Sequence, residues 1–137
     1  MPVGDRFVEL PAEAMLTFLE SKGFALTTKP RSRREIVYER AHHVDPRYIV
    51  LVYTSVATGN ARARKRGADA IRVVAIFDDG KRSYGIAKTP RVFRTGSVEA
   101  VLERTHERMR ECYAVCNRAI GFYKELSDRS DNKEGRT

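Results

Sequence analysis

Arg47-Tyr48-Ile49-Val50-Leu51-Val52-Tyr53-Thr54-Ser55-Val56 is the stretch on which the fold turns. Its residues are mostly β-branched or aromatic, types that suit a pleated surface. In an extended chain successive side chains point to opposite faces, and here Tyr48 to Tyr53 is apolar on both. The stretch therefore predicts a central strand covered on at least part of each side.

On its N-terminal side, Ala41-His42-His43-Val44-Asp45-Pro46 reads as a turn punctuated by Asp-Pro. Glu35-Ile36-Val37-Tyr38-Glu39-Arg40 reads as a short strand, and Lys29-Pro30-Arg31-Ser32-Arg33-Arg34 as a basic loop. Further upstream, Pro11 to Gly23 predicts a helix. Proline suits the first turn, and Ala14, Met15, Phe18 and Leu19 form an apolar stripe. Gly23 is a natural stop. Phe24-Ala25-Leu26 is expected to start an edge strand.

On the C-terminal side, Thr58-Gly59-Asn60 opens a turn region, and Ala61-Arg62-Ala63-Arg64-Lys65-Arg66-Gly67 follows. Asp69 to Phe77 predicts another strong strand. Asp78-Asp79-Gly80-Lys81 closes it, and Arg82 to Lys88 completes a hairpin. Ser97 is a good N-cap with Glu99 in the first turn. From there Val98, Val101, Leu102, Thr105, Met109, Cys112, Tyr113, Cys116, Ile120 and Tyr123 recur at helical spacing. The helix is expected to run to about Leu126, roughly 45 Å at its standard rise.

The expected fold is therefore α+β: an N-terminal helix, an antiparallel sheet of four to five strands and a long C-terminal helix packed on it. One domain is expected over residues 1–126. Residues 127–137 are polar, charged and without aromatics, and are expected to form a disordered tail. There is no βαβ alternation to suggest a doubly wound sheet. Double-stranded-RNA-binding domains share this element order, but a lysine cluster opens their last helix. Here the corresponding stretch, Ser97 to Glu103, is acidic.

A chain of 137 residues with 42% hydrophobic residues can bury one sizeable core. Two cysteines, Cys112 and Cys116, are too few for a disulfide framework. The N-terminus lacks a charged region followed by an apolar stretch, so no signal peptide is expected. No apolar run approaches a membrane span. The expected location is the cytoplasm, with no membrane partner.

The net charge of +8 is unevenly spread. Residues 1–28 carry two basic and four acidic side chains. Residues 29–94 carry sixteen and six, and residues 95–137 carry eight of each. The whole excess lies in the middle. Arginine outnumbers lysine nineteen to seven, and its planar fork matches phosphate geometry.

In Ala61–Gly67, Arg62, Arg64 and Arg66 alternate with small residues. When extended, this arm would project its arginines from one face along a phosphate backbone, with Lys65 beside them. Arg31, Arg33 and Arg34 on one side, and Lys88, Arg91 and Arg94 on the other, are expected to extend the track. Tyr84 and Phe93 lie near these cations and are candidates for base stacking. Tyr48 and Tyr53 read as core.

These features predict a non-catalytic protein that binds single-stranded DNA or RNA. It would act in annealing, recombination or repair, as a homo-oligomer and without a cofactor. A metal-dependent nuclease is the enzymatic alternative, with Asp69, Asp78 or Asp79 as ligands. A basic assembly subunit docking on an acidic partner is a third reading. His42 and His43 could in principle join Cys112 and Cys116 around zinc, but the cysteines read better as helix core and His106 as helix surface. No phosphate-binding P-loop, GxGxxG, GxSxG or HExxH motif is present.

Overall fold

The computed structural model describes residues 8, 10–27, 29–32, 35–55 and 70–134. The Ala61–Gly67 arm, Arg33, Arg34 and Asp69 lie outside the described residues. The elements run α1 (Ala12–Ser21), β1 (Ala25–Leu26), β2 (Glu35–Ala41), β3 (Tyr48–Ser55), β4 (Arg72–Asp78), β5 (Ser83–Lys88) and α2 (Val98–Glu134). The sheet is antiparallel in the order β1-β2-β3-β4-β5. This is the α+β architecture expected from the pattern. β3 holds the central place because its residues are apolar on both faces.

Alternation along β2, β3 and β4 sorts their side chains into two clusters. Tyr38, Tyr48, Val50, Val52, Val73, Ala75 and Phe77 face both helices. From α1 they meet Met15 and Leu19, and from α2 Val101, Met109, Cys112 and Cys116. Val37, Ile49, Leu51 and Ile76 form a second cluster on the opposite face.

The second face has its own cover. The link between β1 and β2 leaves from beside Val37, since the Thr27 amide donates to the Val37 carbonyl. Yet Lys29 Nζ and Arg31 Nη2 reach Asp78 Oδ2 on β4, at 3.1 and 2.9 Å. β4 lies two strands away from β2, so Lys29 and Arg31 carry the described part of this link over the second face as a strap. At the other end of that face Arg72 lies over the Tyr53 ring, 4.3 Å from its centroid, and donates to Glu35 Oε1 at 2.6 Å.

Asp78 is well placed to hold the strap. The Gly80 amide, then Arg31, then Lys29 keep its carboxyl far below the usual carboxylate range. Its stabilising effect is therefore complete above the unfolded value of about 3.9 and is lost only as pH falls through the lower folded value. Asp78→Asn is expected to lower the melting temperature at neutral pH. The gap to the parent should close in strong acid, as read by melting curves across pH. A gap that persists there would remove Asp78 as the clasp.

The long helix starts where expected: Ser97 Oγ accepts from the Ala100 amide at 3.1 Å. It does not stop at Leu126 but continues to Glu134, about 55 Å in all. Between Ser127 and Glu134 there is no glycine or proline to break it. Among the described residues no helix is long and apolar enough to cross a membrane.

Candidate anion-binding site

The first helix ends in a way that shapes a pocket. The Phe24 amide donates to the Leu19 carbonyl at 2.9 Å and the Gly23 amide to the Glu20 carbonyl at 3.0 Å. This is a Schellman motif with Gly23 at its left-handed position, φ +84°. Phe24 and Leu19 both enter the core. The turn therefore presents Lys22 and its carbonyl to the helix-facing side of β2.

β2 brings its own cations to the same place. Tyr38 is core, so alternation sets Arg40 on its side of the sheet, with His42 just beyond the strand. Arg40 Nη1 donates to the Lys22 carbonyl at 2.8 Å. Its guanidinium lies over the Tyr113 ring, 4.7 Å from the centroid. A Cβ on Gly23 would sit 3.2 Å from Arg40 Nε. The arginine is thus packed between a glycine backbone and an aromatic face before any ligand arrives.

The third wall is α2. His106, Arg110, Tyr113 and Asn117 recur at three- and four-residue spacing beside the core stripe. Together with Lys22, Phe24, Arg40, His42, His43 and Met109 they line a pocket of about 310 Å³. The lining holds three permanent cations and all three histidines of the chain. It contains no carboxylate.

Hydrogen bonds fix the polar groups inside. The Val44 amide donates to His42 Nδ1 at 3.1 Å, so that nitrogen is unprotonated. His42 Nε2 must then carry the proton, which it donates to Asn117 Oδ1 at 2.6 Å. The Asn117 amide nitrogen is left pointing elsewhere as a donor. His43 stacks on His42 with centroids 4.6 Å apart. Burial, then the charges of Lys22 and Arg110, lower the pKa of His106. Tyr113 Oη is buried and has no hydrogen-bond partner, and burial raises the pKa of its phenol, so the hydroxyl keeps its proton. The pocket therefore offers cations and hydrogen-bond donors to an anion.

Gly23→Ala is expected to destabilise the fold by about 1–2 kcal/mol through the left-handed backbone, and to displace Arg40 as well. Gly80 has φ +87° with nothing near its missing Cβ. Gly80→Ala should cost a similar amount in urea unfolding but leave inorganic phosphate binding unchanged. Equal phosphate binding by the parent and both variants would dismiss the packed Arg40.

The described residues singled out from sequence for nucleic-acid binding lie elsewhere. Lys88 and Arg91 are exposed near the β5 edge, at the opposite side of the sheet from the pocket. Phe93 is exposed, and its carbonyl accepts from Arg104. Tyr84 is half-exposed and stacked on Phe77. Arg94 does not join an exposed track: it is 5% exposed, because Val92 and Arg94 turn inward while Phe93 turns out. Arg31 is drawn into its ion pair with Asp78. Arg33, Arg34, Arg62, Arg64, Lys65 and Arg66 lie outside the described residues.

Asp79 Oδ1 accepts from the Lys81 and Arg82 amides and shapes a turn. Cys112 and Cys116 are buried free thiols in the core. Burial pushes Cys112 up to about 12, which disfavours the thiolate a zinc ion needs. Among the described residues no group of three His, Cys, Asp or Glu could hold a metal ion.

Along the chain His42 and His43 stand as a pair in a turn and His106 as a helix-surface residue, and Lys22, Arg40 and Arg110 do not stand out. Two signals were present: Tyr38-x-Arg40-x-His42 at strand spacing, and His106, Arg110, Tyr113 and Asn117 at helix spacing. No protein-family model, no curated protein and no solved structure matches this chain.

Proposed function

We propose that this is a non-catalytic nucleic-acid-binding protein that holds a strand by its phosphates and favours single strands. One observation carries the reading: Lys22, Arg40, Arg110 and three histidines line one pocket that no carboxylate enters. A concave surface of one charge sign concentrates counter-charge, here a polyanion. A pocket of about 310 Å³ suits a group of nucleotide size rather than a duplex. His43 supplies a ring face beside the cations, as single-strand sites do. Arg62, Arg64, Lys65 and Arg66 would lengthen the grip, with Arg33 and Arg34. A homo-oligomer acting on one strand belongs to the same proposal and is measured by light scattering.

The test is fluorescence anisotropy with single- and double-stranded DNA and RNA between about 50 and 200 mM salt. Single strands should bind tighter, with log affinity falling linearly in log salt. No binding at the lowest salt, or binding indifferent to salt, would end this reading.

A further inference from the structure

A polynucleotide offers two kinds of phosphate. Internal diesters carry one negative charge each, and a phosphorylated strand end carries nearly two at neutral pH. The charge lining the pocket matches the second kind. Three permanent cations from three separate elements converge on it without a carboxylate to offset them. A groove that tracks a backbone spreads its cations along a line, whereas these line one open pocket of about 310 Å³.

The donors agree with the charges. Arg40 is already fixed by the Lys22 carbonyl and the Tyr113 ring, and its other N–H groups remain for a ligand. Asn117 has its carbonyl oxygen committed to His42, so its amide presents only N–H. Tyr113 Oη is buried without a partner, a cost that a phosphate oxygen would relieve once the side chain turns its hydroxyl toward the pocket. His43 has one ring face against His42 and is exposed on the rest, which suits the terminal base.

Resting on the nucleic-acid reading above, we propose that this pocket takes the phosphorylated end of a strand, a phosphomonoester together with its terminal nucleotide. The selectivity comes from charge count and the convergence of the cations, so it is independent of base sequence. The cations elsewhere on the chain would act on the diesters that follow.

The test uses the full chain and one short single-stranded oligonucleotide in three forms: 5′-phosphorylated, 3′-phosphorylated, or with hydroxyls at both ends. One phosphorylated form should bind about tenfold or more tighter than the hydroxyl form, the gain expected from an added charge-assisted contact. Lys22→Gln with Arg110→Gln should abolish that preference. Tyr113→Phe, which keeps the ring under Arg40, should reduce it several-fold while the melting curve stays unchanged.

Equal and measurable affinity for all three forms overturns the strand-end assignment and leaves the nucleic-acid reading standing. A nucleoside monophosphate that binds as tightly as the oligonucleotide overturns it in favour of a free nucleotide. No binding of any oligonucleotide removes both.

Discussion

Lys22→Gln combined with Arg110→Gln is expected to weaken single-strand binding by about a hundredfold or more at low salt. A charge-assisted hydrogen bond contributes about 1.5–3 kcal/mol, and each tenfold in affinity is about 1.4 kcal/mol. Losing the pocket's grip on one phosphate should also flatten the log affinity against log salt line by about 0.7, at roughly 0.7 per phosphate for single strands. Both side chains line the pocket, and both raise the positive field felt by His106. Neither anchors the fold as Arg40 does through the Lys22 carbonyl. Stability should stay within about 0.5 kcal/mol of the parent, so weakened binding would not reflect unfolding. Anisotropy titrations at three salt concentrations check the prediction. Unchanged affinity and slope would move the grip away from this pocket.

Leu51→Ala is expected to destabilise the protein by about 2–5 kcal/mol, the range for truncating a fully buried leucine. A domain of this kind has only about 5–15 kcal/mol in total, so the variant should sit close to unfolding. Leu51 lies on the sheet face away from both helices, yet it is 1% exposed. Its cost therefore measures how well that face is sealed by the strap clasped at Asp78. Urea unfolding, with slope as well as midpoint recorded, gives the number. A loss below about 1 kcal/mol is what a largely solvated position shows, and it would contradict a sealed second face. Combining Leu51→Ala with Asp78→Asn should give less than the sum of the two, because they share one piece of structure.

The two predictions concern different parts of the sheet, and they were not equally readable beforehand. The run Tyr48 to Tyr53 announces burial on both faces, so a covered second face was implied by local composition. What covers it was not, because Lys29 and Asp78 are forty-nine positions apart. Lys29–Arg34 reads locally as a solvated basic loop. Lys29 and Arg31 become a clasp only when β4 places a carboxylate within reach. Arg94 shows the same gap: by type it belongs on the surface, but it follows the inward turn of Val92 and is buried. At the C-terminal end, apolar spacing alone carried the helix only to about Leu126. The backbone stays helical to Glu134, in a stretch without a glycine or proline.

By itself the sequence determined the element types and their order, the α+β class, the central place of β3, the cap at Ser97 and the stop at Gly23. These follow from short-range physics: side-chain alternation, helical spacing, turn chemistry and the left-handed freedom of glycine. The uneven charge was equally plain. Only the tertiary structure decided where a candidate site lies. Lys22, Arg40 and Arg110 come from a helix end, a strand and a second helix, each unremarkable in its own segment. Charge acts through space rather than along the chain, so the cations count as a site only after folding has brought them around one volume and kept every carboxylate out.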